Sequence, residues 1–197
     1  MAEFLTTHGI AYHIEGVIRE CKQRLILISP YIQLSDQLYQ RLVEADRRGV
    51  RTIVVHGKER LRPEVLRKLD DLANERVFYC ENLHAKCYCN EDSLVISSMN
   101  LYEFSEKNNS EMGIIIRRET DLELFRSAMK EVQSIVTSSV PEQTVESEAI
   151  ARGRRTKQDH VATKPTLKQV LLDALITVFD KEKADAYVLL PIKSSRN

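Results

Sequence analysis

The chain has 197 residues, with 29 Lys and Arg against 29 Asp and Glu, and 43% of its residues are hydrophobic. That length suits one good core with room for a small appendage, and the zero net charge excludes a protein-wide basic field, so nucleic-acid contact would have to use a local patch. No run approaches the roughly 18 apolar residues of a membrane span, and the start MAEFLTTHGI lacks the basic n-region and apolar core of a signal peptide; a cytoplasmic location without membrane contact is the expectation.

Residues 8–22 carry Ile10, Ile14, Val17, Ile18 and Cys21 at helical spacing, which predicts an amphipathic helix. A continuous Leu and β-branched run follows at 24–32, interrupted by Pro30, the pattern of a strand buried on both faces. Ser35-Asp36 can cap a second helix over 37–48, whose apolar face is Leu38, Leu42, Val43 and Ala45 and whose stop is Gly49. Residues 51–57 form a second buried strand, so the order strand, helix, strand predicts a right-handed parallel crossover. A third helix follows Pro63 with Val65, Leu66, Leu69 and Leu72, and a short strand at 76–80 leads onward. Beyond residue 111 come a strand at 113–116 and a helix at 122–135 with Leu124, Phe125, Ala128, Met129 and Val132 as its apolar stripe. The whole of 1–137 therefore reads as one α/β sandwich with a mixed sheet flanked by helices.

Periodicity fails over 138–166, a linker that is first Ser-, Thr-, Pro- and Glu-rich and then basic at Ala151-Arg152-Gly153-Arg154-Arg155-Thr156-Lys157. The basic run reads as a solvated tether, with a phosphate-contacting arm as the alternative. Residues 167–197 hold a helix over 167–179 and a strand over 186–192, too little for a core of their own.

The chemistry concentrates in 84–111. His84 and Lys86 fall on one face of an expected strand, with Cys87 and Cys89 on the other. Asn90-Glu91-Asp92-Ser93 is a cluster of turn formers and Leu94-Val95-Ile96 a second strand behind it, which brings Ser98 and Asn100 towards His84. An imidazole, an ammonium and two neutral donors converging on one spot make an anion site with chemistry attached. The cysteines at 21, 80, 87 and 89 are expected as buried reduced thiols rather than metal ligands, because Cys87-x-Cys89 is not the Cys-x-x-Cys knuckle and no second pair matches it.

These residues resemble the HxK motif of the phospholipase D superfamily, in which His-x-Lys is followed after four residues by Asp and then by a Gly/Ser-rich segment ending in Asn. His84 and Lys86 match, Ser98 and Asn100 match the closing Ser-x-Asn, and Glu111 in Asn108-Asn109-Ser110-Glu111 matches the downstream Glu of the superfamily's small bacterial endonucleases. The chain departs from the pattern at Glu91, which takes the Asp position with Asp92 beside it, at Ser97, where Gly is usual, and in a His-to-Asn span one residue short. The family's Asp is mainly structural, so a carboxylate at 91 should serve. The resemblance covers about residues 10–135 and implies the same α/β sandwich that the periodicities predict.

It also implies a reaction. His84 would attack phosphorus to give a phosphohistidine, and a second histidine would protonate the leaving oxygen and later activate water. Lys86, Ser98 and Asn100 would hold the phosphate oxygens, while Glu111 would bond the far ring nitrogen of His84 and fix its tautomer. No metal and no cofactor is called for. A single His-x-Lys means that the second histidine comes from another copy, hence a two-fold homodimer sharing one active site. The expected function is a metal-independent phosphodiesterase, a nuclease with DNA favoured over RNA. A non-catalytic nucleic-acid-binding module on the same fold and a phosphodiesterase for lipids or small phosphodiesters are the alternatives. His8, His13 and His56 are expected to be structural or solvent-facing, His160 inert in the linker, and Tyr31 a packing residue.

Overall fold

The computed structural model describes residues 1–102 and 109–142. Nearly all of the expected linker and the whole of the expected appendage therefore lie outside the described residues. In chain order the elements are β1 (Glu3–Thr6), α1 (Thr7–Glu20), β2 (Arg24–Ile28), β3 (Ile32–Gln33), α2 (Asp36–Arg47), β4 (Arg51–His56), α3 (Pro63–Asp70), β5 (Glu75–Tyr79), β6 (Cys87–Asn90), β7 (Ser93–Ser97), β8 (Leu101–Tyr102), β9 (Met112–Arg117), α4 (Leu122–Ser138) and β10 (Val140–Pro141).

Eight strands form one mixed sheet in the order β1-β9-β7-β6-β2-β4-β5-β10, and β3 pairs with β8 in parallel as a separate two-stranded sheet. The three strands joined through helices, β2, β4 and β5, are parallel, as a crossover connection requires. The motif hairpin β6–β7 is antiparallel and continues into antiparallel β9 and β1. Helix α2 begins where its sequence signal lies, the Ser35 hydroxyl accepting from the Leu38 N–H at 3.2 Å, and ends against Gly49, whose φ of 77° suits a residue without a Cβ.

Alternation along the strands sorts the sheet's side chains into two layers. Leu25, Leu27, Val54, Tyr88, Val95 and Ile115 share a core with Ile10, Ile14, Val17 and Ile18 of α1, Leu42 and Ala45 of α2, and Val65 and Leu69 of α3. Their neighbours Ile26, Ile28, Ile53, Val55, Cys87, Cys89, Leu94 and Ile116 are also buried, on the opposite face, where α4 packs along β9 and buries Phe125, Met129, Val132 and Val136. At roughly 1.5–3 kcal/mol for each large aliphatic side chain removed from water, these two layers dominate the stability of the fold. The free cysteines belong to this packing, with Cys21, Cys87 and Cys89 buried and Cys80 half-buried.

The register places all the sheet's functional traffic at one end. Ile28 of β2 pairs with Val55 and with Cys87, Cys87 pairs with Ile96, Ser97 with Gly113, and Met112 with Thr6. The carboxyl ends of the parallel strands, the start of β6, the end of β7, the start of β9 and the first turn of α1 therefore form one row. In open α/β sheets that end is where ligands bind.

Candidate active site

The motif residues sit within three positions of a strand terminus in that row. Lys86 precedes β6, Ser98 and Asn100 follow β7, and Glu111 precedes β9. The strands join their main chains, the Ser97 N–H donating to the Lys86 carbonyl at 3.2 Å and the Ser98 N–H to the Met112 carbonyl at 2.9 Å. His84 and Lys86, however, lie in the irregular approach to β6 and not in a strand. Just before them Leu83 is buried, with its side chain packed against Gly57. His84 is exposed and Lys86 half-buried.

Lys86 folds back so that its ammonium donates to the His84 backbone carbonyl at 2.9 Å, which ties the Lys86 side chain to the main chain of His84. Partial burial lowers its pKa below the ordinary lysine range, and the positive charge of Lys58 acts in the same direction, against the opposing pull of the Glu111 carboxylate. An ammonium that has already lost part of its hydration gives up less on meeting a phosphate oxygen.

Glu111 is held from three sides. The Ser98 hydroxyl donates to one carboxylate oxygen, the Asn109 amide to the other at 3.4 Å, and the Glu111 N–H donates to the Thr7 hydroxyl at 2.9 Å. The expected bond from Glu111 to the His84 ring is absent; the carboxylate is engaged with Ser98 instead. Ser98 is the nearer partner because β7 and β9 are adjacent strands, closely apposed where Gly113 lies. A Cβ at Gly113 would stand 2.8 Å from the Ile96 carbonyl oxygen and 2.9 Å from the Ser97 Cβ.

Asn100 is positioned by its two neighbours. The wholly buried Tyr88 donates its hydroxyl to the Met99 carbonyl at 2.8 Å, and the Leu101 N–H donates to the buried Ser29 hydroxyl at 3.0 Å. The side-chain oxygen of Asn100 is buried without a hydrogen-bond partner; as an acceptor it cannot bond a phosphate oxygen, which would take its bond from the amide NH₂. Tyr88, Ser29 and Thr7 are functional supports that sequence reasoning missed. Only Tyr88 carried a signal, a large polar-tipped aromatic amid the small residues of a buried strand.

At the far end of the hairpin, Glu91 accepts the Lys22 N–H at 2.6 Å and the Arg24 N–H at 3.4 Å, bracing the α1–β2 connection. Asn90 accepts from the N–H groups of Asp92 and Ser93, both at 2.8 Å, and forms the turn. The carboxylate at the motif's Asp position thus has a structural role. His56 is wholly buried, its ring between the Glu59 carbonyl at 3.2 Å and the Glu142 carboxylate at 3.0 Å. His8 is exposed, His13 half-buried against Tyr12, and Tyr31, expected to pack, is 41% exposed. Among the described residues no cluster of three or more His, Cys, Asp or Glu is arranged to hold a metal ion, and no helix is long and apolar enough to cross a membrane.

The mixed α/β sheet flanked by helices is the fold of a phospholipase D-like domain. The model of the family described as "Cardiolipin synthase, PLD-like domain" matches residues 14–135, and the chain belongs to that family. No curated protein matches the sequence. Among solved structures the fold is similar to that of Nuc, a phospholipase D family member from Salmonella typhimurium, with TM-score 0.60 and 16% identity over 73% of this chain and 100% of that one. It is also similar to a phosphatidylserine synthase from Haemophilus influenzae (TM-score 0.63, 16% identity, 95% of this chain, 46% of that one). A third likeness is to TrmBL2, an archaeal chromatin protein with a novel mode of DNA binding (TM-score 0.55, 11% identity, 72% of this chain, 55% of that one).

Proposed function

We propose that the protein is a metal-independent phosphodiesterase, a nuclease that cleaves nucleic-acid backbones through a phosphohistidine formed on His84. The observation that supports this reading is that Lys86, Ser98 and Glu111 lie at one end of the sheet, with Lys86 bonded to the His84 carbonyl and Ser98 to the Glu111 carboxylate. His84 supplies the nucleophilic nitrogen, which forms the N–P bond as the bond from phosphorus to the leaving oxygen breaks. Lys86, Ser98 and Asn100 donate to the non-bridging oxygens as negative charge grows on them. When phosphate arrives, the Ser98 hydroxyl transfers from Glu111 to a phosphate oxygen, and the released carboxylate is then able to orient the His84 ring.

A second histidine must protonate the leaving oxygen, and we assign it to the His84 of a second copy in a symmetric dimer. Nuc supports the single-domain arrangement, since this chain spans all of it. The second reading, a nucleic-acid-binding module without catalysis, is favoured by the resting engagement of Glu111 with Ser98 rather than with His84.

The deciding experiment is cleavage of single- and double-stranded DNA and RNA in EDTA by wild type and His84→Ala, with the mass of each measured by light scattering. Cleavage by a wild-type dimer that survives EDTA and disappears in the variant supports the proposal. Binding without cleavage moves the reading to the recognition module, and hydrolysis of small phosphodiesters alone removes nucleic acid as the substrate.

A further inference from the structure

We propose that the loop between β4 and α3 is a phosphate-binding ridge beside the active site, with Lys58 and Arg60 contacting backbone phosphates that flank the scissile one. The inference rests on the nucleic-acid reading above and names the local patch that a chain of zero net charge requires.

The first observation is position. β4 ends in the catalytic row, and the loop that leaves it is in direct contact with the segment that carries His84. A Cβ at Gly57 would lie 2.5 Å from the Leu83 Cβ and 2.7 Å from the Cys80 carbonyl oxygen, so only glycine permits this approach. The Cys80 N–H also donates to the His56 carbonyl at 2.8 Å. Whatever binds at His84 passes close to this loop.

The second is rigidity. The Glu59 N–H donates to the Gly57 carbonyl at 2.6 Å, the Glu59 carbonyl meets His56 Nδ1, and His56 is itself held by Glu142. Leu61 is buried. Lys58 and Arg60 project, exposed, from between these anchors, which keeps their backbone fixed while their charged ends stay in water.

The third is charge. Among the described residues neither Lys58 nor Arg60 is within ion-pairing distance of a carboxylate, Glu59 included, whereas Arg41 pairs with two and Lys68, Arg117 and Arg126 with one each, at 2.8–3.1 Å. The positive charge of Lys58 is felt at Lys86, so the two ammonium groups act on one region of space. Lys58 also has φ 60°, a left-handed conformation that is strained for a residue with a Cβ. Glycine or asparagine would relieve that strain, and a lysine stands there.

The conformation also supplies the control. Lys58→Gly removes the charge at a φ that glycine favours, so the variant folds, and Arg60→Gln removes the second charge at an exposed position. We would measure oligonucleotide affinity against salt for the double variant and its parent, both carrying His84→Ala so that the strand stays intact. Each lost phosphate contact lowers the slope of log K against log salt by about 0.7 for single strands and 0.9 for duplex, so a fall of about 1.4 or 1.8 is expected for two contacts. A parent that binds with a salt-dependent slope matched by the double variant would overturn the ridge and leave the nuclease reading standing. A parent with no salt-dependent affinity would overturn both, and hydrolysis of bis(p-nitrophenyl) phosphate by the wild type would then show that the reaction chemistry survives without nucleic acid.

Discussion

Glu75 opens β5 at the end of the sheet away from the active site, 7% exposed, with one carboxylate oxygen buried and without a hydrogen-bond partner. Burial, reinforced by Asp70 and Asp46 and only partly offset by Arg76, pushes its pKa from 4.5 up to about 8. A carboxyl whose folded-state pKa is raised binds its proton more tightly when folded. Its destabilising effect is absent below pH 4.5, grows as pH rises towards 8, and is constant above that. At about 1.4 kcal/mol per pH unit the interval sets a ceiling of about 5 kcal/mol, and water reaching the carboxylate in the native state brings the observed figure below it. Glu75→Gln keeps the shape and removes the titration. Urea unfolding of both proteins at pH 5, 7 and 9 should show similar stabilities at pH 5 and a variant more stable by several kcal/mol at pH 9, a range set by the same linkage. Parallel profiles for the two proteins from pH 5 to 9 would refute the reasoning.

Three further substitutions test how the site is held. Gly57→Ala forces a methyl against Leu83 and the Cys80 carbonyl; overpacking should cost about 1–3 kcal/mol and displace the His84 segment, so unchanged stability with unchanged turnover would count against the close contact. Glu91→Ala removes the acceptor for the Lys22 and Arg24 N–H groups and should lower stability by about 1–3 kcal/mol while kcat of the remaining folded protein holds, because the turn is at the far end of the hairpin. Loss of kcat without loss of stability would instead give Glu91 a role in the chemistry. Tyr88→Phe deletes the hydroxyl that fixes the Met99 carbonyl; a loss of about 1 kcal/mol should accompany a reduced kcat as Asn100 loses its anchor, and an unaltered kcat would show that Ser29 suffices.

The elements with full periodic signals were legible. Ile10, Ile14, Val17 and Ile18 are all buried on α1, Ser35 caps α2, and the runs at 24–28 and 51–56 are adjacent parallel strands. Edge elements were not. β1 and β10 are four and two residues long, too short to show alternation, and they exist because β9 and β5 offer unpaired edges. The site was legible as a set of residues but not as a network. Alternation assigned His84 and Lys86 to a strand because nothing local to 83–86 announces that Leu83 will insert beside Gly57, which is 26 positions away. Likewise the partner of Glu111 depends on the β7–β9 register, and Thr7 reaches it only because β1 delivers α1 to the same row.

That row also bears on where the second histidine comes from. His56 is buried and occupied at both ring nitrogens, and His13 is half-buried against Tyr12. His8 is different. It is exposed in the first turn of α1, next to the Thr7 that holds Glu111, and it lines a cavity of about 340 Å³ together with Asn100. Among the described residues an in-chain general acid would therefore be His8, and a shared-site acid would be the second copy's His84. Loss of a general acid costs about 10²–10⁴-fold, so the two routes separate cleanly. With the shared site, His8→Ala keeps kcat close to wild type, and dimers mixed from wild type and His84→Ala lose the activity of every heterodimer. If His8→Ala instead falls to the level of His84→Ala in a protein whose fold is intact, each subunit carries a complete histidine pair, and the symmetric dimer has no part in the chemistry.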